Sequence, residues 1–139
     1  MARDRMSTVL RVRALHEQRA LTAMGAAAGT VVTAQAIRDG AVVAMRDHRV
    51  LATDVSLLRL ARTVGTGLTE SVERAEAGLA GAHAAHTRAV EDWRARRAEL
   101  LAVERLVDRR AAVARLEEQR VEQHQMDELA ILTRTQGAA

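Results

Sequence analysis

The sequence predicts an all-α fold, a long antiparallel two-helix coiled coil, on three observations. In 139 residues there is no Pro, so nothing forces a helix to stop. Trp93 is the only aromatic residue. The apolar quota is filled with small side chains, 29 Ala against 15 Leu and 15 Val. Side chains of that size fill a thin seam between two helices but not a thick globular core. The remaining Leu, Glu and Arg are good helix formers.

Charge sets the next bounds. All 21 cationic side chains are Arg, and the formal net charge is +3. With no Lys, Tyr or Cys to titrate, that small excess is enough to carry the pI to about 11.0. Residues 1–62 carry an excess of five positive charges, whereas residues 63–139 carry an excess of two negative ones. The imbalance suits antiparallel pairing of the two halves, although salt screens much of it at a surface. Without Cys there is neither a disulfide nor a thiolate metal site, which fits a reducing compartment.

The chain reads as a single coiled-coil domain over 1–139. Helix 1 is expected over about 7–62, opening at Ser7 or Thr8, either of which can act as an N-cap. Its apolar stripe runs through Leu10, Ala14, Leu21, Met24, Ala28 and Val31, with interruptions at Glu17 and Gln35. Past residue 42 the stripe shifts to Val43, Val50, Leu57, Ala61, Val64 and Leu68. Asp39-Gly40 between two Val pairs is a hairpin signal. An isolated hairpin is marginal, however, and a helix weakened at Gly40 fits the surroundings better. The main reversal is expected at about 63–69, where two Gly and three Thr interrupt the pattern. A turn nearer Gly78 and Gly81 is the other possibility. Thr66 or Thr69 would cap helix 2, over about 70–134, with Glu70, Glu73 and Glu76 in its first turns. Two arms of this size imply a hairpin of about 80–90 Å.

Ala20–Ile37 carries no charge over 18 residues, follows five Arg and contains a Gly25-to-Gly29 small-xxx-small spacing. Length alone would let it span a membrane, and Ala34-Gln35-Ala36 resembles a signal-peptidase site. The run is mostly Ala, Gly and Thr, which gain little on insertion, and the charged leader is long and contains Glu17. The expected role is a small-residue stretch of helix packed closely on a neighbour.

No catalytic constellation is present, and neither a cofactor nor a small-molecule substrate is implied. His83 and His86 share a helix face, but no third metal ligand accompanies them. His124, Asp127 and Glu128 read as a charged helix face. Gly65-Thr66-Gly67 lacks both the strand and the Gly-Lys-Ser/Thr of a phosphate loop. Arg94, Arg96, Arg97, Arg109 and Arg110 alternate with acids and have no aromatics beside them, which disfavours nucleic acid or a membrane surface as partner.

Two segments resemble the FliJ family of flagellar export proteins. One is the apolar-Arg opening Thr8-Val9-Leu10-Arg11-Val12-Arg13-Ala14-Leu15-His16-Glu17-Gln18-Arg19-Ala20. The other is the stretch from Trp93 to Ala130, above all Leu116 to Ala130 with its Glu-Gln and Asp-Glu-Leu-Ala steps. The resemblance implies a cytoplasmic, non-enzymatic stalk that enters the ring of the export ATPase. It also implies links to the membrane export gate and escort of export chaperones. Contact with the membrane would then be only through partners, at its inner face. By the same analogy the partner-binding residues would be Arg11, Arg13, Glu17 and Arg19 on helix 1 and Glu122, Gln123, Asp127 and Glu128 on helix 2. These would meet at one end of the hairpin. A stalk of a virulence-type secretion system and a generic coiled-coil scaffold or dimerisation module are the alternatives. A scaffold would carry an apolar stripe unbroken through 60–70.

Overall fold

In the computed structural model, residues 2–48 and 54–137 are described, with side chains described for 5–48 and 54–134. The fold is all-α. Helix α1 spans Ala2–Asp47 and helix α2 spans Val55–Gly137, and the two pack against each other. Contacts group the chain into two units, residues 15–97 and residues 1–14 with 98–139.

The reversal lies between Asp47 and Val55, not at 63–69. Residues 63–69 are an uninterrupted part of α2, and the alternative turn at Gly78 and Gly81 is helical too. The chemistry of the Thr residues explains the difference. Thr63, Thr66 and Thr69 donate their hydroxyls to the carbonyls of Arg59, Arg62 and Gly65 at 3.0–3.1 Å. They bond back along the helix instead of capping a new one. No described glycine has a positive φ, so each is carried as a helical residue at a cost of about 1 kcal/mol relative to Ala. The cap of α2 is Asp54. Its carboxylate accepts the Val55 backbone N–H at 2.6 Å and the Ser56 hydroxyl at 2.9 Å. Its carbonyl accepts the Leu58 N–H at 3.0 Å. Among the stripe residues expected past 42, Val50 lies outside the described residues, and Val43, Leu57 and Val64 are exposed.

In the unit 15–97, the covered face of α1 comprises Glu17, Ala20, Met24, Ala27, Val31, Ala34, Arg38 and Ala41, spaced alternately three and four residues apart. That spacing is the coiled-coil seam. On α2 the matching positions include Ala61, Gly65, Leu68, Val72, Ala75, Leu79, Ala82, His86, Ala89, Trp93 and Arg96. Ala20 and Ala82 are the buried residues of this unit. Just past the C-terminal end of α1, His48 Nε2 lies 3.2 Å from the Ala61 carbonyl, and the His48 ring stands over Gly65. In the unit 1–14 with 98–139, Met6, Leu10 and Arg13 face Leu100, Val103 and Val107, and Leu100 is buried.

Two expectations about α1 are revised. Leu21 is exposed, while Glu17 sits in the seam, so the stripe is offset from the one the apolar residues suggest. A Cβ built on Gly25 or Gly29 would meet nothing within 4 Å, so the small-residue run makes no close approach that needs glycine. Asp39-Gly40 is helical, as the weakened-helix reading holds. Over Arg5–Asp47 the helix reaches a mean hydropathy of 1.4 across 18 residues, only 6% of them buried. By length and composition alone that would allow a membrane crossing.

Candidate partner-binding surface

Of the four α1 residues expected to contact a partner, two are engaged within the chain. Arg13 makes a salt bridge to Glu99 across the seam. Glu17 is more deeply set, with a side chain only 13% exposed. It accepts a hydrogen bond from Trp93 Nε1–H at 3.0 Å and lies 3.9 Å from the Arg97 guanidinium. Both residues occupy seam positions because the three–four spacing of α1 passes through them, and each finds an opposite charge or a donor on α2. Arg11 and Arg19 are exposed.

The α2 residues Glu122, Gln123, Asp127 and Glu128 are all exposed. They do not join Arg11 and Arg13. Glu122 lies about 35 Å along the helix axis from Glu99, the partner of Arg13. The expectation of a shared end placed the reversal near the middle of the chain. The actual reversal leaves α2 at 83 residues against 46 for α1.

Every described side chain from Asp108 to Arg134 is exposed. The Arg13–Glu99 register places Ala2, where α1 opens, near residue 110 of α2, so no described part of the chain lies beside the stretch that follows. Continued in phase from Val103 and Val107, the seam positions fall on Arg110, Ala114, Glu117, Val121, His124 and Glu128. A face so charged offers little apolar area to cover. Within it Arg120 pairs with Glu117 at 3.4 Å, and His124 Nδ1 lies 3.9 Å from Glu128. Such exposed pairs along one helix contribute little, so most of these charges are free to meet a partner. The same stretch exposes Val113, Leu116, Val121, Met126 and Leu129.

One more cross-seam polar contact was not foreseen. Arg38 lies 4.0 Å from Glu76 on α2, and on α1 itself it pairs with its neighbour Asp39 at 3.1 Å. Gln35 also donates to Asp39 at 3.0 Å, and these two donors hold the Asp39 carboxyl below its usual range. The missed signal was that charged residues can themselves keep the seam spacing when the antiparallel partner carries the opposite sign. On α2, Asp92 and Arg96 form the pair that their spacing suggests, at 3.5 Å. Among the described residues no three His, Asp or Glu gather as metal ligands, and no buried polar side-chain atom lacks a partner.

A family model described as flagellar FliJ protein matches residues 1–137. No curated protein and no solved structure gives a match.

Proposed function

The chain belongs to the FliJ family, which makes it a component of flagellar protein export, and from that premise we propose that it serves as the central stalk and activator of the export ATPase. The observation that carries this reading is the stretch of α2 beyond Asp108, which no described part of the chain covers. It presents Glu122, Gln123, Asp127 and Glu128 to solvent on a stretch where five Arg and five acids balance. A single exposed helix bearing mixed charge suits a ring that rotates or cycles around it, because polar contacts re-form at each step while a locked apolar interface does not. Arg11 and Arg19, exposed on α1, supply basic contacts of the same exchangeable kind.

The wider role is escort of export chaperones and contact with the membrane export gate, from the cytoplasmic side and through those partners. An Ala and Val seam crossed by Arg13, Glu17 and Arg38 is thin, and a partner helix could add to it. No catalytic chemistry is assigned to this chain, which acts by binding.

The test is direct. The purified chain is added to the flagellar export ATPase of the same organism, and hydrolysis is followed with and without it. Stimulation that is weakened by reversing Glu122, Asp127 and Glu128 together supports the stalk reading. Neither stimulation nor co-purification would leave the scaffold reading in its place.

A further inference from the structure

The exposed part of α2 carries a second stripe on the side opposite the seam. Ala112, Leu116, Gln119, Gln123, Met126 and Ala130 are spaced alternately four and three residues apart. None is charged, although the surrounding stretch from Arg109 to Arg134 holds ten Asp, Glu and Arg residues. The face stays neutral over five turns of a charge-rich helix. A shallow concavity along one edge of that face is lined by Leu116, Gln119 and Gln123 of the stripe and by Arg120, His124 and Asp127 beside it. Leu116, Gln119, Arg120 and Gln123 stand at i, i+3, i+4 and i+7, the four residues that form a hole for a knob from a facing helix.

We propose that this face binds the same face of a second copy of the chain, as an antiparallel two-helix interface centred at the level of Val121. The stripe is its own complement under that two-fold. Leu116 meets Met126 of the other copy, Ala112 meets Ala130, and Gln119 meets Gln123, whose amides can satisfy each other. The flanking charges set direction and register. Antiparallel pairing places Arg120 beside the other copy's Asp127 and Arg115 beside its Glu122, each pair occurring twice. Parallel pairing places Arg115 beside Arg120 and Glu122 beside Asp127, which repel. A slip of one heptad in either direction sets Arg120 against Arg120 or Glu122 against Glu122. One arrangement out of four is therefore favourable in every flanking pair.

The interface is weak by construction. Two Gln layers and two Ala layers leave only the two Leu116–Met126 layers to bury much apolar area. The total buried is on the order of 1,000 Å², at the low end for specific association. The self-pairing is accordingly concentration-dependent and salt-sensitive, and it hides Glu122 and Asp127 in the flanks. A pool of self-paired chains would release these residues on dilution or on meeting a tighter partner. The association goes beyond the stalk reading and does not depend on it.

Sedimentation equilibrium of the full chain across a wide concentration range at low salt tests the proposal. A monomer–dimer equilibrium is expected. Arg120→Asp shifts its midpoint about tenfold to higher concentration, and adding Asp127→Arg restores it. The chain has no native Cys. A variant carrying both Gln119→Cys and Gln123→Cys therefore reports geometry, joining residue 119 to residue 123 of the other copy. A monomer at every concentration, a dimer indifferent to Arg120→Asp, or disulfides joining like positions would overturn the proposal. Circular dichroism confirms that each variant keeps its helix.

Discussion

Trp93 donates its indole N–H to Glu17 Oε1 at 3.0 Å, joining α2 to α1 through the one aromatic residue of the chain. The Glu17 side chain is mostly covered and lies 3.9 Å from Arg97, so a single carboxylate accepts the indole N–H and sits beside a cation. Glu17→Ala leaves a covered N–H without an acceptor, and the expected loss is about 1–3 kcal/mol. Glu17→Gln keeps an acceptor oxygen and loses less. Because Trp93 is the only fluorophore of its kind, its emission reports the same event: it moves to the red in Glu17→Ala, while a position and a melting temperature unchanged from wild type would refute the coupling.

Asp54 is the next pressure point. It accepts both the Val55 N–H and the Ser56 hydroxyl at the start of α2. Asp54→Ala should cost about 1 kcal/mol, and Asp54→Ser or Asp54→Asn should recover most of it. Chemical denaturation of the three variants checks this, and equal midpoints would show that the cap contributes nothing.

The glycines that suggested a reversal are, in the folded chain, unneeded. A Cβ on Gly67, Gly78 or Gly81 meets no atom within 4 Å, and none of them has a positive φ. Each change to Ala should stabilise α2 by about 1 kcal/mol. The triple variant should melt several degrees higher than wild type, with near-additive increments. A lower melting temperature would mean that the reversal, or a needed bend, lies where these glycines are.

Acid should act on one identifiable carboxyl. Hydrogen bonds from Arg38 at 3.1 Å and from Gln35 at 3.0 Å hold Asp39 below its usual value. A lowered carboxyl stabilises the folded chain above the ordinary Asp value, and that contribution disappears as pH falls through the lowered one. Asp39 is exposed, so the effect on the whole fold is small. An NMR titration should place the Asp39 midpoint below that of an unstructured peptide. Arg38→Ala should move it back up.

Amide exchange should divide α2. Residues 110–134 have no covering helix among the described residues, whereas Leu100, Val103 and Val107 face α1. An unsupported helix of this length is marginal in water. Its amides should exchange far faster than those of 98–107 when the protein is dilute. Protection in 110–134 that grows with protein concentration would be the mark of self-pairing.

Much of the fold was legible because it depends on local chemistry. The absence of Pro and the abundance of Ala, Leu, Arg and Glu fix helix almost everywhere, whatever packs against it. The Asp92–Arg96 pair is legible for the same reason, since four residues on one helix always bring two side chains together. The candidate surface was only half legible. Glu122, Gln123, Asp127 and Glu128 are exposed, as residues for outside contact need to be. Arg13 and Glu17 read as surface charges, because nothing in α1 alone reveals that Glu99, Trp93 and Arg97 stand opposite.

The amino-acid order alone therefore determined two long helices, their family and the lack of a thick core. Packing decided where the chain turns. Gly65 and Gly67 looked like a break, but Thr66 and Thr69 bond back to the helix carbonyls, and Asp54 has the free geometry to start α2. Packing also decided which charges are internal. Register across an antiparallel seam is a property of both helices together, and it alone carries Arg13 to Glu99 and Glu17 to Trp93. That same register leaves the last part of α2 open to solvent, with its charges turned outward.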